Sequence, residues 1–446
     1  MAVSQERVET VEGLLGALVE ARQRTLELVA DLSDEQLIGP RLAIVNPLLW
    51  ELGHVAWFQE RWVLRHLRGL DSLLPNADAL YDSSRVAHDT RWDLPLPSRE
   101  QTLAYMQRVL ERIQEETRRE RGPMLRDAEG YDEVYFLHLA LYHEYMHAEA
   151  FAYTRQTLGY PAPRMAVPQP LLRIPDGPAR NEDVEIPGGT YWLGSEPGGV
   201  FVFDNEQWAH PVTVRPFRIA RYAVSNADFA AFVDDGGYRR QEFWSAAGWQ
   251  WRLQAGAEHP VYWQPAGGGR WLRRHFDRWV PLEPELPVLH VNWYEAEAFC
   301  RWAGRRLPTE AEWEVAAAAV PADGGGLGAV RRRYPWGDVP PRPGQANLDW
   351  ITGGCLPVHA LPESDSAFGV RQMAGNVWEW TADDFQPYPG FAPGPYRDYS
   401  APWFGDHKVL RGGCWATRSH MLRNTYRNFY RPDRRDVWAG FRTCAL

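Results

Sequence analysis

The sequence predicts an α+β, multidomain chain: a four-helix bundle followed by a turn-rich domain of short strands. Three observations carry this. Residues 1–158 hold apolar side chains at helical spacing between capping motifs. Residues 159–183 are proline-rich, and residues 184–446 are dense in glycine, tryptophan and turn signals. At 446 residues the chain also exceeds one comfortable hydrophobic core.

Each helix has a local signal. Val8, Val11, Leu15, Leu18 and Val19 form the first apolar stripe. Ser33-Asp34-Glu35-Gln36 is a capping box, in which the serine hydroxyl and the glutamine side chain satisfy each other's backbone amides. Asn46-Pro47 sets an N-cap before a proline at the first helical position and predicts a helix over 47–68. Ser98-Arg99-Glu100-Gln101 is a second capping box, before a stripe of Leu103, Met106, Val109, Leu110 and Ile113. The last helix starts near Asp132-Glu133 and runs to Leu158, where Gly159 can turn left-handed. Four long helices with polar loops make a bundle, an architecture whose core commonly holds metal sites.

Seven prolines between Pro161 and Pro187 forbid a continuing helix, so 159–183 reads as an extended linker. Beyond it, residues 186–194 read as a hairpin. Ser225, Asn292 and Thr309 each look like the cap of a short helix.

Bulk properties exclude some partners. A net charge of −10 argues against nucleic acid, and the arginines at 118, 119, 121 and 331–333 read as solvated surface. No run approaches the ~20 apolar residues of a membrane span. The N-terminal stretch lacks a basic region followed by an apolar block, and the four cysteines lack C-x-x-C spacing. These features point to the cytoplasm.

The chemistry concentrates in Tyr142-His143-Glu144-Tyr145-Met146-His147-Ala148-Glu149, an H-x-x-x-H-x-E pattern. Histidines four apart on a helix project from one face. His54 lies in a similarly apolar helix, Leu48 to Trp57. Three neutral imidazoles from two helices can hold one metal and leave positions open. Any one of them alone could equally be a packed or surface histidine. Glu149 lies about 200° around the helix from His147 at ~100° per residue, off the ligand face. It reads as support for the ligands or as a bundle tie. Three histidines also suit zinc, so a zinc-dependent hydrolase or thiol transferase stays open. A non-catalytic carbohydrate-binding protein is a third class. Asp338, Asp349 and Asp383 could serve a structural calcium ion but suit turns or caps.

The second domain carries IPGGTYWLGS (186–195), RLPTEAEWEVAA (306–317), MAGNVWEWTADDF (373–385), VLRGGCWAT (409–417) and AGFRTC (439–444). Together these resemble the formylglycine-generating-enzyme (sulfatase-modifying factor) fold, a variant of the C-type-lectin architecture. The redox cysteines of its oxidases are missing from residues 416–422, and Cys414 reads as a packed thiol, so formylglycine chemistry is not expected. The bundle with its H-x-x-x-H-x-E pattern resembles the DinB-like metal-binding domain. The fusion of the two is similar to the ergothioneine sulfoxide synthases and their selenoneine synthase relatives.

That resemblance implies a non-haem iron enzyme that uses O2 to join sulfur or selenium to the imidazole of hercynine. Fe(2+) would be held by His54, His143 and His147. A tyrosine in the loop after GNVWEW would move a proton or electron; Tyr388 is the candidate, with Tyr396 and Tyr399 following. Arg427-Asn428-Phe429-Tyr430 stands where many sulfoxide synthases have Arg-Asn-Trp-Asp, which makes Asn428, Phe429 and Tyr430 substrate contacts. Tyr430 replaces the acid that holds γ-glutamylcysteine, and Met146 replaces a glutamine beside the iron. The segment 80–97, with Arg85, His88 and Arg91, looks more like the selenoneine branch, whose donor is a selenosugar. As an alternative, those three side chains tie their loop to the bundle. The expectation is a selenoneine synthase. The alternative is an ergothioneine sulfoxide synthase that uses cysteine or γ-glutamylcysteine.

Overall fold

The computed structural model describes residues 10–119, 124–177, 181–199 and 201–446, which leaves Val8 of the first stripe and Arg121 outside. The chain divides into two compact units, Met1–Ala166 and Val167–Leu446.

The first unit contains α1 (Val11–Glu27), α2 (Asp34–Ile38), α3 (Leu48–Gln59), α4 (Ala77–Tyr81), α5 (Arg99–Arg119) and α6 (Glu133–Leu158). The caps fix the ends. Ser33 and Gln36 bond reciprocally at 3.2 and 3.0 Å, as do Ser98 and Gln101. Asp132 accepts from the Tyr135 amide at 3.1 Å, and Gly159 closes α6 at φ 67°. Of the four long helices, α1 packs on α6, while α3 packs on both α5 and α6.

The helix expected over 47–68 changes character after Gln59 and becomes a π-helical turn over Glu60–His66. The wider turn accompanies a buried carboxylate, Glu60, which accepts from the Tyr105 hydroxyl and the Leu73 amide. A second buried carboxylate, Glu144, joins three helices. It accepts from Arg22 Nε at 2.9 Å, Thr25 Oγ1 at 2.9 Å and Gln59 Nε2 at 2.6 Å. With its lone pairs filled, Glu144 fixes the rotation of α6 right beside His143.

The second unit opens with β1 (Asp183–Ile186), β2 (Gly189–Leu193), β3 (His210–Val214) and β4 (Phe217–Ala220). The hairpin expected within 186–194 does not form: β1 pairs with β4 and β2 with β3, in one continuous antiparallel register. The stretch is instead one arm of a longer hairpin, interrupted where Pro187-Gly188 crosses Pro216. Proline cannot donate to the ladder, and a Cβ on Gly188 would lie 2.6 Å from Pro216.

The capped helices follow as α7 (Asn226–Asp234), α9 (Trp293–Trp302) and α10 (Glu310–Ala318), with an additional α8 (Ala246–Ala255) between Ser245 and Gly256. Strands β5 (Trp263–Gly267), β6 (Arg270–His275) and β7 (Arg278–Pro281) form an antiparallel sheet. After β8 (Arg305–Arg306), β9 (Ala319–Pro321) and β10 (Leu327–Arg331) come β11 (Trp378–Asp384), β12 (Lys408–Arg411), β13 (Asn428–Tyr430) and β14 (Ala439–Gly440). These last four make a sheet in the order β13-β12-β11-β14.

The core of this unit gathers around α10, whose Trp313 and Val315 pack with Tyr191, Ile219, Met373 and Tyr388. Within it lies a buried ion network. Glu310 accepts from Arg411 (2.8 Å) and Arg427 (2.7 and 3.0 Å), and Glu314 accepts from Arg411 (2.5 Å) and Tyr191 (3.1 Å). Asp338 and Asp349 accept from the Arg333 and Ser419 amides, and Asp383 accepts from the amide of Glu310 at the start of α10. All four cysteines are free, and burial pushes the Cys355 and Cys444 thiols up to about 12. Among the described residues, no helix is long and apolar enough to cross a membrane.

Candidate metal centre

Every residue of α3 is buried, so His54 has no route to solvent along its own helix. His143 and His147 come from α6, one turn apart. Among the described residues these three form a cluster able to hold a metal, with their ligand atoms all within 4.8 Å of one another. The ring centroids lie 5.0 Å (His54–His143), 4.9 Å (His54–His147) and 4.4 Å (His143–His147) apart.

Neighbours fix the rings. His54 Nδ1 donates to the Tyr81 carbonyl at 2.7 Å, and His147 Nδ1 donates to Glu51 Oε1 at 2.6 Å. A carbonyl can only accept, so the proton of His54 sits on Nδ1 and its lone pair on Nε2; the Glu51 contact gives His147 the same tautomer. His143 lies flat on Phe58, with centroids 3.6 Å apart, and His54 lies flat on Trp50 at 4.8 Å. Gly53 makes the Tyr81 contact possible: a Cβ there would meet the Tyr81 ring at 2.2 Å.

Burial, and then the neighbouring His147, holds His54 and His143 well below the usual imidazole range. Neutral imidazoles are the form that binds a metal. Ligands at about 2.1 Å from one ion lie at most about 4.2 Å apart, a contraction within reach of ring rotation. By donor chemistry and spacing, the triad fits a divalent cation.

Two supporting groups escaped the sequence reading. Glu51 is the lone carboxylate of an otherwise apolar helix and sits three residues before His54, a signal available in the sequence. The Tyr81 carbonyl carried no signal, because it reaches His54 only through the tertiary fold. Glu149 is buried on an unbroken α6 and lies outside the ligand cluster, while Met146 is half-buried.

The segment expected to meet the chalcogen donor is tied down unevenly. Arg85 is exposed and lies 3.3 Å from Asp82. His88 Nε2 donates to the Val45 carbonyl at 2.7 Å. Arg91 donates to Asn46 Oδ1 at 2.6 Å and to the Val86 carbonyl at 3.3 Å, with its guanidinium 4.0 Å over the Trp50 ring. Burial lowers Arg91 to about 10.

In the second unit, Asn428 and Tyr430 share one face of β13. Phe429 points to the opposite face, is half-buried and stacks on Phe385 at 4.1 Å. Tyr388 is buried in the core, its hydroxyl donates to Glu310 Oε1 at 3.2 Å, and Arg427 lies 4.1 Å over its ring. Burial also pushes its phenol well up, so the hydroxyl is committed to the ion network. Of the other loop tyrosines, Tyr399 stacks on Phe203 at 4.5 Å and Tyr396 is half-buried.

Comparison with known proteins gives this geometry a context. The DinB superfamily matches residues 17–151, and the sulfatase-modifying factor enzyme 1-like domain matches 174–445. The hercynine oxygenase of Mycolicibacterium thermoresistibile is 39% identical over 442 residues, covering 95% of this chain and 93% of its own. That of Mycobacterium tuberculosis is also 39% identical, covering 97% and 98%. The chain belongs to the hercynine oxygenase family. The formylglycine-generating enzyme of Streptomyces coelicolor is 34% identical over 316 residues, 63% of this chain and 96% of its own. In this hercynine oxygenase relative, His54, His143 and His147 all fall within the segment matched by the DinB superfamily.

Proposed function

We propose that this chain is an iron(II)- and O2-dependent enzyme that forms a carbon–selenium or carbon–sulfur bond on the imidazole of hercynine. We further propose that a selenosugar is the donor, making it a selenoneine synthase that works in the cytoplasm. The observation that carries the reading is the histidine triad: three imidazoles, two buried and one half-buried, with ligand atoms within 4.8 Å and no carboxylate in the set. Kinship with hercynine oxygenases over nearly the whole chain supports the substrate.

In this reading His54, His143 and His147 would hold the ion. Bound there, iron would supply redox chemistry with O2, and a ligand set without a protein anion would suit an anionic selenolate or thiolate donor. Tyr81 and Glu51 keep two of the ligand rings in the right tautomer and orientation. Trp50 and Phe58 cover the ring faces and exclude water. Asn428 and Tyr430 are proposed to contact hercynine, and Arg85, His88, Arg91 and Met146 to shape the donor side. Replacement of an acid by Tyr430 and of a glutamine by Met146 favours the selenosugar over γ-glutamylcysteine. Tyr388 is given no proton-transfer role, since Glu310 already holds its hydroxyl.

The test is anaerobic reconstitution with Fe(II) and hercynine, then O2, with a selenosugar, cysteine or γ-glutamylcysteine in parallel and products read by mass. A selenium adduct of hercynine from the selenosugar is the expected result. An adduct only with a thiol would move the assignment to ergothioneine synthesis. No adduct with any donor would refute the proposal.

A further inference from the structure

Glu51 stands out among the buried acids of the bundle. Glu144 accepts hydrogen bonds on both oxygens, and so does Glu60. Glu51 is equally buried, at 1% exposure, yet only Oε1 is engaged, by His147; Oε2 has no hydrogen-bonding partner among the described residues. Leaving a buried carboxylate oxygen unsatisfied opposes folding. A group kept at such a cost is a candidate for function.

We infer that Glu51 is a positioning residue that acts through His147 to set the strength of the metal site. The inference rests on reading the triad as a metal site. Its carboxylate accepts from His147 Nδ1 and orients that ring toward the other two ligands. It also places one negative charge next to a ligand set that has none of its own, which favours a divalent cation. His54 leans on a neutral carbonyl, His143 stacks on a phenyl face, and His147 leans on an anion.

A structural role and a positioning role predict opposite outcomes. Glu51→Gln keeps an oxygen that can accept from Nδ1 but removes the buried charge. Full-length apo protein, wild type and Glu51→Gln, is titrated anaerobically with Co(II) alone, following the visible ligand-field bands, and apo melting temperatures are measured beside it. The positioning role predicts a 10- to 100-fold weaker Co(II) affinity and a changed band pattern. It also predicts that the apo variant melts no earlier than wild type and that Glu51→Asp recovers part of the affinity. Unchanged affinity and bands in the variant, with or without a lower apo melting temperature, would overturn the role of Glu51. Failure of the wild type itself to bind Co(II) or Fe(II) would instead overturn the metal reading beneath it.

Discussion

Two clusters of buried ionisable groups, one in each unit, are satisfied in opposite ways. In the second unit, Glu310, Glu314, Arg411 and Arg427 answer one another's charge, and Tyr388 and Tyr191 add hydroxyls. Among the causes acting on Glu310, burial is the largest and raises its pKa, yet the two arginines together carry it below the usual carboxylate range. In the bundle, three bases of the same kind face one another, and burial, then the neighbouring imidazoles, makes His54 and His143 harder to protonate. A network that closes on itself is scaffold. A set of lone pairs that converges and stays open is a site for something else.

The comparison can be broken at either end. The largest effect is expected from His143→Ala, which should abolish stoichiometric metal binding and lower turnover at least about a thousandfold, as metal catalysis supplies several kcal/mol. Metal analysis and kinetics on the folded variant check this. Glu310→Gln should cost about 3–5 kcal/mol of stability, because it leaves the buried Arg427 without its carboxylate while Arg411 keeps Glu314, and the metal affinity of the folded protein should stay unchanged. Chemical denaturation paired with metal titration separates the two effects.

A pH titration sharpens the contrast. His54 and His143 have folded values well below 6.5, so between that value and the folded ones the unfolded chain binds more protons. Their contribution to apo stability is therefore complete above 6.5 and is lost as pH falls, by up to about 1.4 kcal/mol per pH unit for each. His290 and His275 in the second unit behave alike, held by burial at about 3 and 4. His54→Gln should remove its own part of the bundle's slope, leaving that of His143, and His290→Gln its own part of the second unit's, leaving that of His275, as read by melting temperature against pH. The smallest effect belongs to Tyr388→Phe. It removes one of several donors to Glu310, so it should cost about 1 kcal/mol and leave turnover within a few-fold of wild type. A hundredfold loss of turnover would return Tyr388 to the chemistry.

What was legible in the sequence was local. Ser33, Ser98, Asp132, Gly159, Ser225, Asn292 and Thr309 announce helix ends because a cap acts within three or four residues of itself. The pair His143 and His147 was legible for the same reason, since one helical turn brings them together. His54 entered through its apolar context and through family resemblance. The rest depends on residues far apart in the chain. The bond from His147 to Glu51 spans 96 residues, and that from Tyr388 to Glu310 spans 78. The long hairpin of β1–β4 was hidden because Pro187-Gly188 looks like a turn until Pro216 is seen to pass beside it.

The central claim is that three imidazoles hold one iron ion. X-ray absorption at the iron edge of the Fe(II)-loaded full-length protein tests it most directly. One iron per chain, with the scattering of three imidazole rings and nitrogen or oxygen atoms filling the shell, is the predicted result. No retained iron, or a shell without imidazole scattering, would contradict it.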